Sequence, residues 1–302
     1  MAAAKGTGMR VLVAGASGFI GTELCRQLES AGHTVLRLSR SAPAGDDQYQ
    51  WSPSEGIVDA AAIERADAVV NLAGATTGRI PWTPRYKREI LYSRVEGTRT
   101  LAEAIGNAKN PPKVFLNGSA VGYYGDQPGV ALTEAGAKGE GFLSDVVEAW
   151  ELAAHLAPSD TRVVTFRTGL VVGRGGAFTP LIPLTRYGLG TRFGSGRQDW
   201  PWIALRDEAA SIVHLLTSSL DGPVNLAGPE AATSARVTHG LAQAMGRWDP
   251  LIVPAFALKL TGEAGHDLLL TSEHVVPEKL LADGFTFRYD TVEKAIGAIF
   301  AD

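Results

Sequence analysis

The sequence predicts a doubly wound α/β fold, a parallel sheet covered by helices on both faces with a smaller C-terminal lobe, on three observations. Short β-branched runs alternate with helical stretches along most of the chain. A glycine-punctuated turn joins the first such run directly to the first helix. A glycine- and proline-rich span, 169–196, breaks the alternation before it resumes.

Taken in order, 10–14 is an apolar strand, 15–21 the turn, and 22–31 a helix with Leu24 and Leu28 one turn apart. Strands follow at 33–38, 66–72, 113–116 and 162–166. A long helix over 83–105 turns Ile90, Leu91, Leu101, Ala104 and Ile105 to the sheet and leaves most of its charges solvated. Segments 200–205 and 223–226 read as strands returning to the main body around a helix at 208–218, and 250–302 as a compact tail of apolar helices. The expected division is 9–168 with 200–228 as the main domain, and 169–199 with 229–302 as a small substrate-binding lobe.

Composition narrows the function classes. The 302 residues suffice for such a core, and 45% hydrophobic with 20% charged residues is ordinary globular usage. A net charge of −4 gives no basic footprint, so nucleic acid is not an expected partner. No apolar run approaches the roughly 20 residues of a membrane span, and residues 1–8 lack a secretory apolar region. With Cys25 as the only cysteine, no intrachain disulfide can form, and a cytoplasmic location is expected. His155, His214 and His239 lack ligand spacing, so no metal site is expected.

The turn is the most informative motif. Gly15-Ala-Ser17-Gly18-Phe19-Ile20-Gly21 is G-x-x-G-x-x-G between a strand and a helix, inside a βαβ unit of about 30 residues. Glycines there permit close backbone approach, and the free amides at the helix start suit a diphosphate, which defines a Rossmann-like dinucleotide site. The second strand ends at Ser39-Arg40, where an acidic residue would receive the ribose 2′-hydroxyl of NAD. With no carboxylate there, Ser39 and Arg40 suit a 2′-phosphate, so NADP(H) is the expected cofactor; the alternative is that Arg40 is only a surface cation.

Asp67-Ala-Val-Val-Asn71-Leu72-Ala73-Gly74 resembles the N-x-A-G element of the extended short-chain dehydrogenase/reductase superfamily. The runs Ser93-Arg94-Val-Glu-Gly97, Gly118-Ser119-Ala-Val-Gly-Tyr123-Tyr124-Gly125, Arg167-Thr-Gly169-Leu-Val-Val172-Gly173 and Gly194-Ser-Gly-Arg197-Gln198 follow in the order of sugar-nucleotide-epimerase-like members. With Asn225-Leu-Ala-Gly-Pro229 and the tail from Val276, the chain resembles the epimerase-family subgroup labelled cell-division-inhibitor-like. The resemblance implies that Leu72, Ala73 and Gly74 touch the cofactor, that Arg167 and Val172 lie near its nicotinamide end, and that Glu89 and Arg94 sit on the helix crossing it. For Asn71 and Arg167 the alternative is a buried residue satisfying loop backbone. The resemblance further implies an oxidoreductase or epimerase-like enzyme acting on a small carbonyl or hydroxyl substrate. By analogy with relatives, a homodimer would use 83–105 and the helix after Gly141.

The chain departs from the superfamily at its chemistry. Hydride-transferring members carry Tyr-x-x-x-Lys on the helix after the serine strand; here Phe142 and Val146 fall at those places. Tyr124 with Ser119 could supply the proton instead, Arg94 could clamp an anion, and Tyr123 and Tyr124 could equally be aromatic pocket walls. Trp82, Arg197, Gln198, Trp200 and Trp202 would line a substrate cleft between the lobes or staple the lobes together. A protein that binds NADP(H) as a sensor without turning it over is the alternative to the enzyme.

Overall fold

Strand β1 (Arg10–Ala14) explains the layering of the whole domain. Side chains alternate across a strand, and here both faces are apolar. Val11 and Val13 join one buried cluster with Leu24, Cys25 and Leu28, while Leu12 and Ala14 join a second with Ile63, Leu101 and Ile105. Each fully buried Leu or Val contributes about 1.5–3 kcal/mol, so two covered faces are strongly favoured over one.

The computed structural model describes residues 8–189 and 191–301. After β1 come α1 (Phe19–Ser30), β2 (Thr34–Ser39), β3 (Gln48–Ser52), β4 (Ile57–Val58), α2 (Ala60–Arg65), β5 (Ala68–Asn71) and α3 (Pro84–Asn107). They are followed by β6 (Val114–Ala120), β7 (Ala131–Leu132), α4 (Phe142–Ala154), β8 (Arg162–Thr168), β9 (Leu170–Val172), α5 (Phe178–Arg186) and β10 (Thr191–Phe193). The chain continues through β11 (Trp202–Ala204), α6 (Leu205–Thr217), β12 (Gly222–Leu226), α7 (Ser234–Ala244), β13 (Leu251–Val253), α8 (Ala255–Lys259), α9 (Glu263–Leu269), β14 (His274–Val275), α10 (Glu278–Ala282) and α11 (Val292–Ala301).

The central sheet runs β12-β8-β6-β5-β1-β2-β3-β4, parallel except for β4. The chain leaves β1 in one direction through β2 and β3 and in the other through β5, β6, β8 and β12, so the switch point falls at the end of β1. Helix starts follow local chemistry: Thr83 and Asp59 accept the amides of Tyr86 and Ala61, and Pro84 opens α3 with its φ preset.

Three differences from the sequence expectations have physical causes. Helix α1 begins at Phe19, so Gly21 lies inside its first turn rather than before it. Strands β3 and β4 extend the sheet where no strand was expected. Most informative, the strand expected at 200–205 does not return to the sheet: β11 pairs with β9 in a separate parallel ribbon. Alternation explains this, since Ile203 packs into the sheet-side cluster while Trp202 and Ala204 pack into a C-terminal cluster with Phe178, Val237, Leu241 and Ile296.

No helix among the described residues is long and apolar enough to cross a membrane. No group of three or more His, Cys, Asp or Glu among them could hold a metal ion.

Candidate functional site

At the switch point the glycine turn is shaped by contacts that exclude side chains. Gly15 has φ +81°, and a Cβ there would stand 2.8 Å from the Leu72 carbonyl carbon. A Cβ on Gly21 would land on the Gly15 carbonyl oxygen. The turn closes through Gly18 N–H donating to the Gly15 carbonyl at 3.0 Å, and Gly18 then serves as the N-cap of α1 with no side chain satisfying the helix amides. Those amides remain available to an oxyanion. Ser17 and Gly18 are exposed and line an open cavity of about 380 Å³ with Phe19, Thr22 and Leu205. The Phe19 ring itself packs against Gly173, Gly175 and Gly176, while Ile20 leans on the core.

Register sets Ser39 and Arg40 beside this turn, because Ala14 pairs with Leu38. The Ser39 hydroxyl accepts the Ser41 amide at 3.1 Å. Arg40 is exposed, and no described residue pairs with it. On the other flank Leu72 N–H donates to the Ala14 carbonyl at 2.9 Å, so Leu72, Ala73 and the exposed Gly74 rim the same crest.

Beneath that rim is a buried amide network. Asn71 donates to Asn117 at 2.8 Å and to Thr98 at 3.0 Å, and its carbonyl oxygen accepts the Ala73 amide at 3.1 Å. The Trp150 indole donates to Thr98 at 2.8 Å. Every polar atom of Asn71 is thereby engaged in holding loop and helices, as a buried amide requires.

A second buried network surrounds Arg167. Its Nε and Nη2 donate to the two Glu151 oxygens at 2.8 Å each, and Nη1 donates to the Tyr124 hydroxyl at 2.9 Å. Ser119 donates to Glu151 at 2.6 Å, and Tyr124 donates at 2.7 Å to Asn225, with the Thr133 carbonyl at 3.0 Å. Burial works against the Arg167 charge, but the hydrogen bonds and charge of Glu151 outweigh it and raise its pKa. Burial likewise raises the Tyr124 pKa, with Arg167 opposing.

Ser119 and Tyr124, the expected proton donors, both belong to this network. Tyr124 has no exposed surface, and both side chains spend their hydroxyls on the Arg167–Glu151 frame. Tyr123 is the phenol left partly exposed, its ring 3.5 Å from the Arg167 guanidinium carbon. Phe142 and Val146 bury against Trp82, Tyr86 and Ile90, with Ala264 of α9 closing the cluster, so the helix offers apolar carbon there.

The expected pocket residues do not converge. Trp82 anchors the loop after Gly74, donating to the Thr77 carbonyl at 2.9 Å. Trp202, 1% exposed, fills the C-terminal core and donates to the Glu230 carbonyl at 2.8 Å, and with Trp200 it lines only a small cavity beside Gly228 and Glu273. Arg197 is exposed on a turn, and Gln198 is buried, tying the Phe193 and Leu269 carbonyls together. Val172 is buried in the β9–β11 ribbon, and Glu89 faces outward on α3. Asp207 accepts the amides of Arg288 and Tyr289 at 2.9 and 3.0 Å, fastening the aromatic tail.

Sequence reasoning gave no role to Glu151, Asn117, Thr98 or Glu208. Asn117 carried a signal, a lone amide inside an apolar strand; Glu151 carried none, because an acid near the end of a helix is ordinary.

Fold and turn together define a nicotinamide-dinucleotide-type Rossmann protein, and comparison with known proteins makes this specific. Residues 11–227 match the NAD dependent epimerase/dehydratase family, and the chain belongs to that family; residues 253–299 match a domain of unknown function, DUF1731. An epimerase family protein of Mycobacterium bovis is 38% identical over 291 residues, covering 95% of this chain and 96% of that one. The epimerase family protein SDR39U1 of Bos taurus is 36% identical over 302 residues, covering 97% of this chain and all of that one. The crystal structure of human SDR39U1 (isoform 2) with NADPH matches with a TM-score of 0.88 at 35% identity, over 96% of this chain and 99% of that one.

Proposed function

We propose that the protein binds NADP(H) and uses it in redox chemistry on a small carbonyl or hydroxyl substrate. One observation carries the reading: uncapped α1 amides above a glycine-punctuated turn, beside a guanidinium that no described residue pairs with, Arg40. A dinucleotide diphosphate fits the first, and a ribose 2′-phosphate fits the second. The human relative determined with NADPH supports the same cofactor. When bound, the nicotinamide would supply or accept hydride. Around it Leu72, Ala73 and Gly74 would form one wall, and residues 169–199 with 229–302 would recognise the substrate.

The second reading, a protein that holds NADP(H) without turnover, is favoured by a specific observation. The positions where a tyrosine acid and a lysine would stand are occupied by Phe142 and Val146, and Tyr124 is sealed from solvent. Tyr123 is the remaining phenol for the enzyme reading.

Fluorescence titration with NADPH and NADH tests the cofactor. Arg40→Ala should weaken NADPH by about tenfold or more, the worth of a charge-assisted bond, and leave NADH unchanged. Equal affinity of the wild type for both coenzymes would remove the basis for the 2′-phosphate assignment. NADPH consumption in a screen of aldehydes and ketones then separates enzyme from sensor.

A further inference from the structure

Cations and apolar side chains that the proposed function does not use stand together on the C-terminal lobe. Arg94, by contrast, packs on Gly74 and belongs with the dinucleotide-type turn. Of the six tryptophans, five are at most 9% exposed, whereas Trp248 is 85% exposed. Tyr187, Phe256 and Leu260 project in the same way, 71–83% exposed, and Ile252 is half exposed. The parallel ribbon of β10 and β13 gathers them. Because Thr191 pairs with Leu251, Tyr187 and Trp248 precede the ribbon at one end, and Phe256 and Leu260 follow β13 at the other. Three residues of strand span only about 10 Å, so all five positions flank a single short strip. Aromatic side chains present about 150–250 Å² each, so Tyr187, Trp248 and Phe256 alone expose on the order of 400 Å², already the size of the largest apolar patch of an ordinary soluble monomer.

The charge around this strip has one sign. Segments 178–197 and 244–262 carry Arg186, Arg192, Arg197, Arg247 and Lys259 against a single carboxylate, Asp249, which lies 2.9 Å from the His239 ring nitrogen. All five cations are exposed and none is paired with a described carboxylate, in a chain whose net charge is −4. Four of them stand beside projecting carbon: Arg186 precedes Tyr187, Arg247 precedes Trp248, Lys259 precedes Leu260, and Arg192 pairs with Ile252 across the ribbon.

We propose that this strip docks the protein onto an anionic lipid surface, its aromatic and aliphatic tips entering the boundary between headgroups and acyl chains and its cations meeting the lipid phosphates. The proposal is independent of the cofactor reading. Interleaved cations and apolar tips match that boundary, where aromatic rings sit at headgroup level and each Lys or Arg gains from the negative surface potential. A second copy of the chain fits the face poorly, since a twofold contact would set five cations against five. A folded acidic partner would need a separate pocket for each protruding tip, whereas a fluid bilayer needs none.

The test mixes the protein with vesicles of phosphatidylcholine alone, or with about one third phosphatidylglycerol, at low and high salt, and reads co-sedimentation and tryptophan emission. We expect binding at least about tenfold tighter on the anionic vesicles, loosened by salt and accompanied by a blue shift of emission. Since the other five tryptophans are buried, the shift belongs to Trp248 and should vanish in Trp248→Phe while binding largely remains. Trp248→Ser with Phe256→Ser, and separately Arg247→Glu with Lys259→Glu, should each weaken vesicle binding by about tenfold or more. Melting temperatures should stay close to wild type, because all four side chains are exposed. Failure to bind either vesicle, equal binding to both, or binding indifferent to these substitutions would overturn the proposal. Wild type that binds soluble polyglutamate as tightly as anionic vesicles, with the paired serine substitutions affecting neither, would overturn it in favour of an acidic protein partner. A lipid-free dimer in ultracentrifugation that the same serine substitutions make monomeric would overturn it in favour of a contact between copies.

Discussion

Glu208 shows at the scale of one residue how the fold stores a titratable group away from its apparent site. It is fully buried in the first turn of α6; Thr168 donates to one oxygen at 2.7 Å, and the other oxygen has no partner. Burial raises its pKa from 4.5 to about 8, with Thr168 opposing. The folded state therefore binds a proton that the unfolded state has released between those values, so this contribution is complete below about pH 4.5 and lost as pH rises through about 8. At about 1.4 kcal/mol per unit it reaches at most about 4–5 kcal/mol. Glu208→Gln, neutral at every pH, should flatten the fall in urea-unfolding stability between about pH 5 and pH 8, leaving the variant the more stable at the upper end. An unchanged slope would show that Glu208 is solvated. Residue-scale legibility was uneven for a related reason. Ser39 and Arg40 could be placed by counting from the glycine turn, whereas Tyr123 and Tyr124 are adjacent letters on a short turn, and partners from distant strands, Arg167 and Asn225 among them, decide which ring is buried.

At the scale of elements, the β1–turn–α1 unit was legible because its signals are local: β-branched residues, then glycines whose spacing is fixed by backbone contacts. Those contacts also predict that the glycines are not equivalent. Gly18 has φ −76°, allowed to any residue, and a Cβ there meets only the Gly15 carbonyl oxygen at 3.2 Å. Gly18→Ala should keep the fold and its melting temperature nearly intact while weakening NADPH by about tenfold, since the methyl group points from the exposed crest where the diphosphate would lie. Gly21→Ala must move backbone and should cost about 1–3 kcal/mol in stability as well. Near-equal melting temperatures for the two variants would contradict this division. Strand β3 was missed although Tyr49 and Trp51 are both buried, because Gln48 and Gln50, alternating with them, read as loop until α3 supplies the surface the rings pack on. The position of β11 was misjudged for a converse reason. Its apolar run is strand-like, but strand propensity does not say which strand it pairs with.

The whole molecule depends on that ribbon. Because β11 turns Ile203 to the sheet-side cluster and Trp202 and Ala204 to the C-terminal cluster, it is a wall common to both cores. Its partner β9 does the same through Val171 and Val172. Gly228 is needed beside it, since a Cβ there would stand 2.7 Å from the Trp202 ring. Domains joined only by a linker open independently, whereas cores sharing a buried wall lose it together. Wild type should therefore unfold in denaturant in one transition, seen alike by far-ultraviolet circular dichroism and tryptophan fluorescence. Trp202→Ala should lower that single transition by about 3–5 kcal/mol, the cost of emptying a large buried aromatic site. If the variant instead split the curve, with the fluorescence change preceding the loss of helix signal, the C-terminal core would be an independent unit, and its tie to the dinucleotide-type domain would have to lie elsewhere than in β9 and β11.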